Sequence, residues 1–499
     1  RVRAAAPVAP QAAPGRATAA ETHAGVVFLL GDRAYKLKKP LDLGFLDFRR
    51  REARLAACRR EVALNRRLAP DVYLGVADVT GVDGRLCDHL VVMRRMPDDR
   101  RLSTLVESGE PVAGHLDRLA GLLARFHARA PSSPAVEEAA GRDAAVGRWE
   151  ANATEMAPFR GDLLDAAVAD EVMARAHRFL AGRAPLFDQR VRAGRARDGH
   201  GDLLADDIFC LDDGPRVLDC LEFDDRLRYG DVLADVAFLA MDLERLGRPD
   251  LGASFLASYR TAAGDDWPPS LADHYVAYRA QVRAKVACLR WAQGDAAARQ
   301  GADRLLRLGL DHLRRAEVRL VLVGGGPGTG KSTLARGLQA PLAAVVVRSD
   351  VVRKELAGVE PAAPAPLGRG LYAPEVTDAT YAELLDRARA HLGLGRTVVL
   401  DATWRHREWR RAAAALATEA SAALVELRCV APVAVAADRV RRRTAAGSDP
   451  SDATEDVARA LADAGAGWAT ATEIDTSGQP SAAVEAALAR VAAAAAEPA

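Results

Sequence analysis

The sequence predicts two folds in series: an α+β, bilobal first part, then an α/β part with a parallel sheet. Three observations carry this. Before residue 100, strand-like segments come in pairs around turn residues, and from there to residue 315 helical patterns dominate apart from one hairpin near residue 210. After residue 318, short apolar runs alternate with helical patterns, the order of a parallel sheet covered on both faces. The change of regime falls at a glycine cluster closing the apolar run Val318–Val323. The boundaries expected are an Ala/Pro-rich tail over 1–20, a first domain over 21–316 and a second over 317–499.

The 499 residues suffice for about three domains of ordinary size. They are 49% hydrophobic and 27% charged with a net charge of +1, which gives no general attraction to nucleic acid or anionic lipid. Selection of partners must therefore be local. Cys58, Cys87, Cys210, Cys220, Cys288 and Cys429 show neither CxxC spacing nor a histidine cluster, so neither a zinc site nor a disulfide framework is indicated, and a cytoplasmic location is expected. No apolar run approaches the ~20 residues of a membrane span. Residues 1–20 lack the apolar segment of a signal peptide and are expected to be a mobile tail. Lysine occurs only at 36, 38, 39, 285, 331 and 354, so each lysine is informative.

In order, strands are expected at Val26–Leu30 and Ala34–Lys38 around Gly31-Asp32, with Ala34, Lys36 and Lys38 on one face. A helix is expected over about Arg50–Leu68, carrying Glu52 and Glu61. Strands Tyr73–Thr80 and His89–Arg94 follow around Val82-Asp83-Gly84, then a helix over Val112–Ala130 and a long helical stretch from about Ala144 to Gly194. In Gly199–Asp224, Ile208–Leu211 and Val217–Leu221 read as strands flanking Asp212-Asp213-Gly214. Helices fill Val232–Arg315.

In the second part, Gly325-Gly326-Pro327-Gly328-Thr329-Gly330-Lys331-Ser332-Thr333 fits G-x-x-x-x-G-K-[ST] between a strand and a helix. Glycines let backbone N–H groups close around phosphates, the lysine reaches the outer phosphates and the serine hydroxyl holds Mg²⁺. Further strands are expected at Ala344–Val347, Thr397–Leu400, Leu424–Val430 and Thr472–Asp475. Asp350 ends the second of these after Ser349, with Arg353 and Lys354 on the helix beyond, and Asp401 and Thr403 end the third. Carboxylates at those strand ends face the phosphate loop, because ligands bind at the C-terminal edge of such a sheet. A Pro/Gly-rich loop is expected over Pro361–Pro374.

His200-Gly201-Asp202, Asp219 in LDCLEF and the strand around Lys36 resemble the aminoglycoside-phosphotransferase family, relatives of the protein kinases, over roughly residues 21–315. The resemblance implies a bilobal protein-kinase-like fold with Asp202 as the catalytic carboxylate, Asp207 and Asp219 as metal ligands, Lys36 as the phosphate lysine and Glu61 as its ion-pair partner. It also implies an adenine-binding hinge around Val91–Met96. Lys38 is the alternative to Lys36 and Glu52 the alternative to Glu61. His200 is read as a structural residue that holds its loop. The family usually carries Asn where Asp207 stands, and no glycine-rich flap precedes Lys36. Asp202, Asp207 and Asp219 are expected to crowd one cavity.

Residues 318–478 resemble small P-loop kinases of the polynucleotide-kinase, zeta-toxin and gluconate-kinase type. That implies Asp350 at the acceptor hydroxyl, Asp401 as a Walker-B-like metal residue, and Arg439 and Arg443, four apart on one helical face, as lid arginines. Together the two halves are read as an ATP- and Mg²⁺-dependent phosphotransferase with two kinase-like modules acting on hydroxyl groups of a small molecule: a sugar, aminosugar or antibiotic. The alternatives are that one module is a nucleotide-gated regulatory or binding domain, or that the P-loop module phosphorylates RNA 5′-hydroxyl ends. Neutral net charge weighs against a nucleic-acid partner, no membrane partner is expected, and the oligomeric state is left open.

Overall fold

In the computed structural model, which describes residues 18–21, 25–41, 47–358, 373–446 and 467–496, the paired strands of the first hundred residues form one antiparallel sheet. Its strands are β1 (Thr18–Glu21), β2 (Gly25–Leu30), β3 (Arg33–Lys38), β4 (Tyr73–Thr80) and β5 (Leu86–Arg94), in the order β1-β2-β3-β5-β4. Gly31 takes φ +57° in the two-residue turn joining β2 to β3, a conformation open to glycine at little cost. Alternation buries Ala34, Lys36 and Lys38 on one face of β3, as the period of two requires. The helix Arg51–Asn65 buries Cys58, Glu61, Val62 and Asn65. Cys58 and Val62 share a core with Val72, Tyr73, Val91, Met96, Phe209 and Leu218.

Three expectations for this half need correction. Thr18–Ala20 are not tail: they pair with Val27–Leu29 as the edge of the sheet. The stretch from 144 to 194 is three helices, Arg142–Met156, Ala166–Ala181 and Ala184–Arg192, interrupted near Pro158-Gly161 and at Gly182. The hairpin in 199–224 is β7 (Ile208–Leu211) with β8 (Gly214–Val217), because the turn takes only Asp212 and Asp213 and pairs Leu211 with Gly214. Residues 218–221 therefore lie outside the strand. A second small ladder, β6 (Ala196–Asp198) with β9 (Tyr229–Asp231), frames this region. The helices Ala113–Arg129, Val232–Arg245 and Pro249–Ala263 supply much of the rest of the core.

The second half has the expected five-stranded parallel sheet, β10 (Arg319–Gly324), β11 (Val345–Arg348), β12 (Val398–Asp401), β13 (Ala423–Val430) and β14 (Thr472–Asp475), ordered β11-β12-β10-β13-β14. Val321, Val323, Val399, Val425, Leu427 and Ile474 meet Leu334 and Leu338 in one core, each large aliphatic contributing about 1.5–3 kcal/mol by leaving water. Arg348, not Asp350, ends β11. Ser349 opens the helix Ser349–Leu356, so Asp350 sits in its first turn, where a carboxylate meets the positive end of the helix. The loop expected over Pro361–Pro374 falls almost wholly outside the described residues, and Pro374 is the first residue of the helix Pro374–Gly393.

The described residues fall into two compact units, one drawn from 18–169, 188–267 and 275–311, the other from 170–187, 268–274 and 312–496. In the second, Arg183 donates to Ala420 O at 2.7 Å and Ser270 to Gly395 O at 2.6 Å. No helix among the described residues is long and apolar enough to cross a membrane.

Candidate active sites

In the first unit β3 and the helix Arg51–Asn65 bring both candidate lysines to one carboxylate. Lys36 Nζ donates to Glu61 Oε1 at 2.6 Å and to Asp219 Oδ1 at 2.8 Å. Lys38 Nζ lies 2.5 Å from Glu61 Oε2 and 2.7 Å from Glu222 Oε1. The choice between Lys36 and Lys38 thus becomes a ladder of five buried charges, Asp219, Lys36, Glu61, Lys38 and Glu222. Lys36 bridges Glu61 to Asp219. Glu52 is not among the buried residues of its helix.

Asp219 has φ +67°, a left-handed conformation that costs a non-glycine residue about 1–3 kcal/mol unless its surroundings impose it. Here they do. The Asp219 N–H donates to Tyr73 Oη at 3.2 Å and the Cys220 N–H to Asn65 Oδ1 at 2.9 Å. Asn65 Nδ2 in turn donates to Glu61 O at 2.9 Å, so one helix end positions Glu61 and the backbone beside Asp219.

The loop of Asp202 is pinned from the helix Val232–Arg245. Asp235 accepts from the N–H groups of His200 and Gly201, each at 2.8 Å, and Asp242 accepts from the Ala205 N–H at 3.0 Å. His127 Nε2 donates to Asp235 Oδ2 at 3.0 Å. Burial alone would push the Asp235 carboxyl up, but the His127 hydrogen bond, the charges nearby and the His200 N–H outweigh it and hold it well below the usual range. Gly199 and Gly201 are required by this fit: a Cβ at Gly199 would lie 2.7 Å from Asp235 Oδ2, and Gly201 has φ +87°. His200 is fully buried, and burial lowers its pKa, so the ring is neutral. The network assigns the proton to Nε2, which donates to Leu218 O at 3.1 Å, while Nδ1 accepts from the Asp202 N–H at 3.4 Å.

The Asp202 carboxylate, partly exposed, has no hydrogen-bond or ion-pair partner among the described residues, which leaves it open to a substrate hydroxyl. Asp207 is buried just before β7, and its carbonyl accepts from the Leu218 N–H at 2.9 Å. Among the described residues no three His, Cys, Asp or Glu side chains gather where they could hold a metal. Asp219, one of the three carboxylates expected to crowd one cavity, pairs with Lys36 at 2.8 Å.

In the second unit the phosphate loop leaves β10 with Gly325, Gly328 and Gly330 at φ +136°, +78° and +85°. A Cβ at Gly325 would lie 2.7 Å from Cys429 O, and one at Gly328 2.2 Å from Ala436 O, so backbone alone fits the cradle. Thr329 Oγ1 donates to Gly326 O at 2.8 Å, and Thr476, just after β14, brings its hydroxyl to 2.5 Å from Thr329 O. Lys331 Nζ donates to Gly326 O at 3.1 Å. Pro327 lies within the loop, and Ser332 and Thr333 follow Lys331 in the first turn of the helix Lys331–Gln339.

Arg439 Nη2 donates to Thr476 O at 2.6 Å, while its Nη1 is buried without a hydrogen-bond partner among the described residues, 3.6 Å from where a Cβ on Gly330 would sit. An orphaned guanidinium nitrogen beside a phosphate loop suits an anionic ligand. Arg443 shares the helix Val433–Ala446, but its side chain lies outside the described residues. Asp350 accepts from Arg353 at 3.3 Å. Desolvation raises the Asp350 carboxyl more than Lys331 and Arg353 lower it. Asp401, 4% exposed, accepts from Arg348 Nε at 3.3 Å. Thr403 Oγ1 lies 3.1 Å from Tyr381 Oη, and Trp404 beyond it is fully buried at φ +51°, a strained backbone held by a hydrogen bond from its N–H to Tyr381 Oη.

Sequence reasoning did not single out Asn65, Tyr73, Glu222, Asp235, Arg348, Tyr381 or Thr476. A signal existed for Asp235, an acid inside the apolar run VLADVAFLA, and for Arg348, directly before Ser349-Asp350 at a strand end.

Comparison with known proteins gives two family matches: residues 28–272 match the phosphotransferase enzyme family and residues 320–464 an AAA domain. Uncharacterized proteins of Mycobacterium bovis and Mycobacterium tuberculosis are 47% identical over 460 residues, covering 92% of this chain and 92% of each relative. Among solved structures, the GDP complex of an aminoglycoside 2′-phosphotransferase is similar at 16% identity, covering 60% of this chain and 94% of that one with a TM-score of 0.38. A gluconokinase from Sinorhizobium meliloti is similar at 18% identity, covering 36% and 93% with a TM-score of 0.26.

Proposed function

This chain belongs to the family of its mycobacterial relatives, joining a phosphotransferase-enzyme-family segment to an AAA-domain segment in a single kinase, and we propose that each half is an ATP- and Mg²⁺-dependent site phosphorylating a hydroxyl group of a small molecule. The observation that carries the reading is the pairing of Lys36 with both Glu61 and Asp219 at one site, matched by the glycine cradle around Lys331 at the other. Phosphoryl transfer asks of a protein chiefly positioning and charge: a lysine on the phosphates, a carboxylate at the attacking hydroxyl, and ligands for metal. Bound ATP and Mg²⁺ would supply the phosphoryl group and a cation that offsets the phosphate charge.

At the first site Lys36 binds phosphate oxygens and Glu61 keeps its ammonium extended. Asp219 and Asp207 would hold the metal through their carboxylates. Asp202 orients the acceptor hydroxyl and takes its proton, on a loop that Asp235 and Asp242 keep rigid. At the second site the N–H groups of Gly326–Thr333, Lys331 and Arg439 hold phosphates, Ser332 and Asp401 would hold the metal, and Asp350 receives the hydroxyl proton. Its raised pKa places it nearer the pH at which a base works best.

The test is ATP consumption by the intact chain against sugars, aminosugars, aminoglycosides and RNA 5′-hydroxyl ends. A small-molecule hydroxyl compound should stimulate turnover, and Asp202→Asn or Asp350→Asn should remove the stimulation. Stimulation by RNA ends alone, or acceptor-dependent turnover indifferent to both substitutions, would overturn the assignment.

A further inference from the structure

In the second unit one guanidinium stands between the two groups assigned to the metal. Arg348 Nη2 donates to Ser332 Oγ at 3.2 Å, and Arg348 Nε donates to Asp401 Oδ2 at 3.3 Å. The sheet fixes this arrangement. Arg348, the last residue of β11, is in register with Asp401 at the end of β12, which is itself in register with Val323 just before the phosphate loop. Asp401 is buried, and a buried carboxylate needs a counter-charge. Lys331 is turned to Gly326 O within its own loop.

We propose that Arg348 is the resident cation of this site, a positioning residue that holds Ser332 and Asp401 in place before metal arrives and lets a nucleoside diphosphate or triphosphate bind without divalent metal. The inference rests on the P-loop reading above. A guanidinium carries a permanent charge and five N–H donors in a planar fork suited to phosphate oxygens, so it can supply part of what Mg²⁺ supplies. Arg348 and Mg²⁺ compete for the same oxygens of Ser332 and Asp401. When metal takes them, the guanidinium turns to the phosphates. Without Arg348, the guanidinium that offsets the Asp401 carboxylate toward incoming phosphate is lost, and metal must supply that offset.

The experiment is calorimetric titration of the full chain with ADP, in Mg²⁺ and in EDTA. Binding at the P-loop is taken as the part lost in Lys331→Ala. In the wild type, removing metal should weaken that binding by less than about tenfold. In Arg348→Met it should weaken it by a further factor of about 10–100, the worth of a charge-assisted hydrogen bond, and Arg348→Lys should restore most of the metal-free binding. Wild-type binding that collapses in EDTA as far as that of Arg348→Met overturns the proposal. So does an Arg348→Met chain weakened equally with and without metal, since that marks a purely structural role. Lys331-dependent binding absent even with Mg²⁺ would overturn the P-loop reading itself, and the proposal with it.

Discussion

Glu61 stands at the centre of the first unit's buried charges, with no exposed surface and a lysine on each oxygen. Three carboxylates and two ammonium groups alternate along this ladder, so removing either lysine leaves neighbouring acids buried together. Breaking a buried pair from one side typically costs about 3–5 kcal/mol. Lys38→Met should therefore lower the denaturant midpoint of the first unit by a loss of that order; an unchanged midpoint would show the ladder to be energetically idle. In the second unit, Asp350→Asn should cut acceptor phosphorylation by ~10²–10⁴-fold while leaving nucleotide affinity nearly unchanged. A parallel loss of nucleotide binding in calorimetry would move Asp350 from the acceptor to the nucleotide. Period two put Lys36 and Lys38 on one face in the sequence, but nothing there showed that a single carboxylate could engage both. That depends on where the helix Arg51–Asn65 lies across the sheet.

The loop from Gly199 to Asp207 is only as rigid as the helix carrying Asp235 and Asp242. The carboxyl of Asp235 has its folded-state pKa depressed below the ordinary 3.8. A depressed carboxylate contributes stability that is present above the unfolded value and lost as pH falls through the folded one. Acid titration of the first unit by near-UV circular dichroism should thus show packing loosening below about pH 4, with a shallower acid dependence in Asp235→Asn; identical acid profiles would contradict the account. The phosphate loop makes a matching demand on backbone, since a Cβ at Gly328 would strike Ala436 O at 2.2 Å. Gly328→Ala should abolish nucleotide binding at the second site, and retained affinity would show that the cradle yields. The strand–loop–helix around Lys331 was legible in the sequence because its signals are local: an apolar run, a fixed glycine spacing and a helical pattern. The strand expected at Val217–Leu221 was misplaced because only Val217 pairs in the ladder, while Leu218, Cys220 and Leu221 are buried beyond its end. The edge strand β1 went unread because Thr18–Glu21, an alanine-rich segment, has its ladder partner to thank and little strand propensity of its own.

At the scale of the whole chain, periodicity was enough to separate an antiparallel sheet with helices from a parallel sheet, since period two in paired runs and apolar runs alternating with helices are distinct patterns. The membership of the units was not legible. Residues 170–187 and 268–274 belong with residues 312–499, through contacts such as Arg183 with Ala420 and Ser270 with Gly395 that join positions far apart in sequence. The central claim is two separable nucleotide sites in one polypeptide, and the stoichiometry of a non-hydrolysable ATP analogue with Mg²⁺ tests it most directly. Calorimetry should give two nucleotides bound per intact chain, one in Lys331→Ala, one in Lys36→Ala and none in the double substitution; a single nucleotide on the wild type, or loss of both on Lys331→Ala alone, would contradict it.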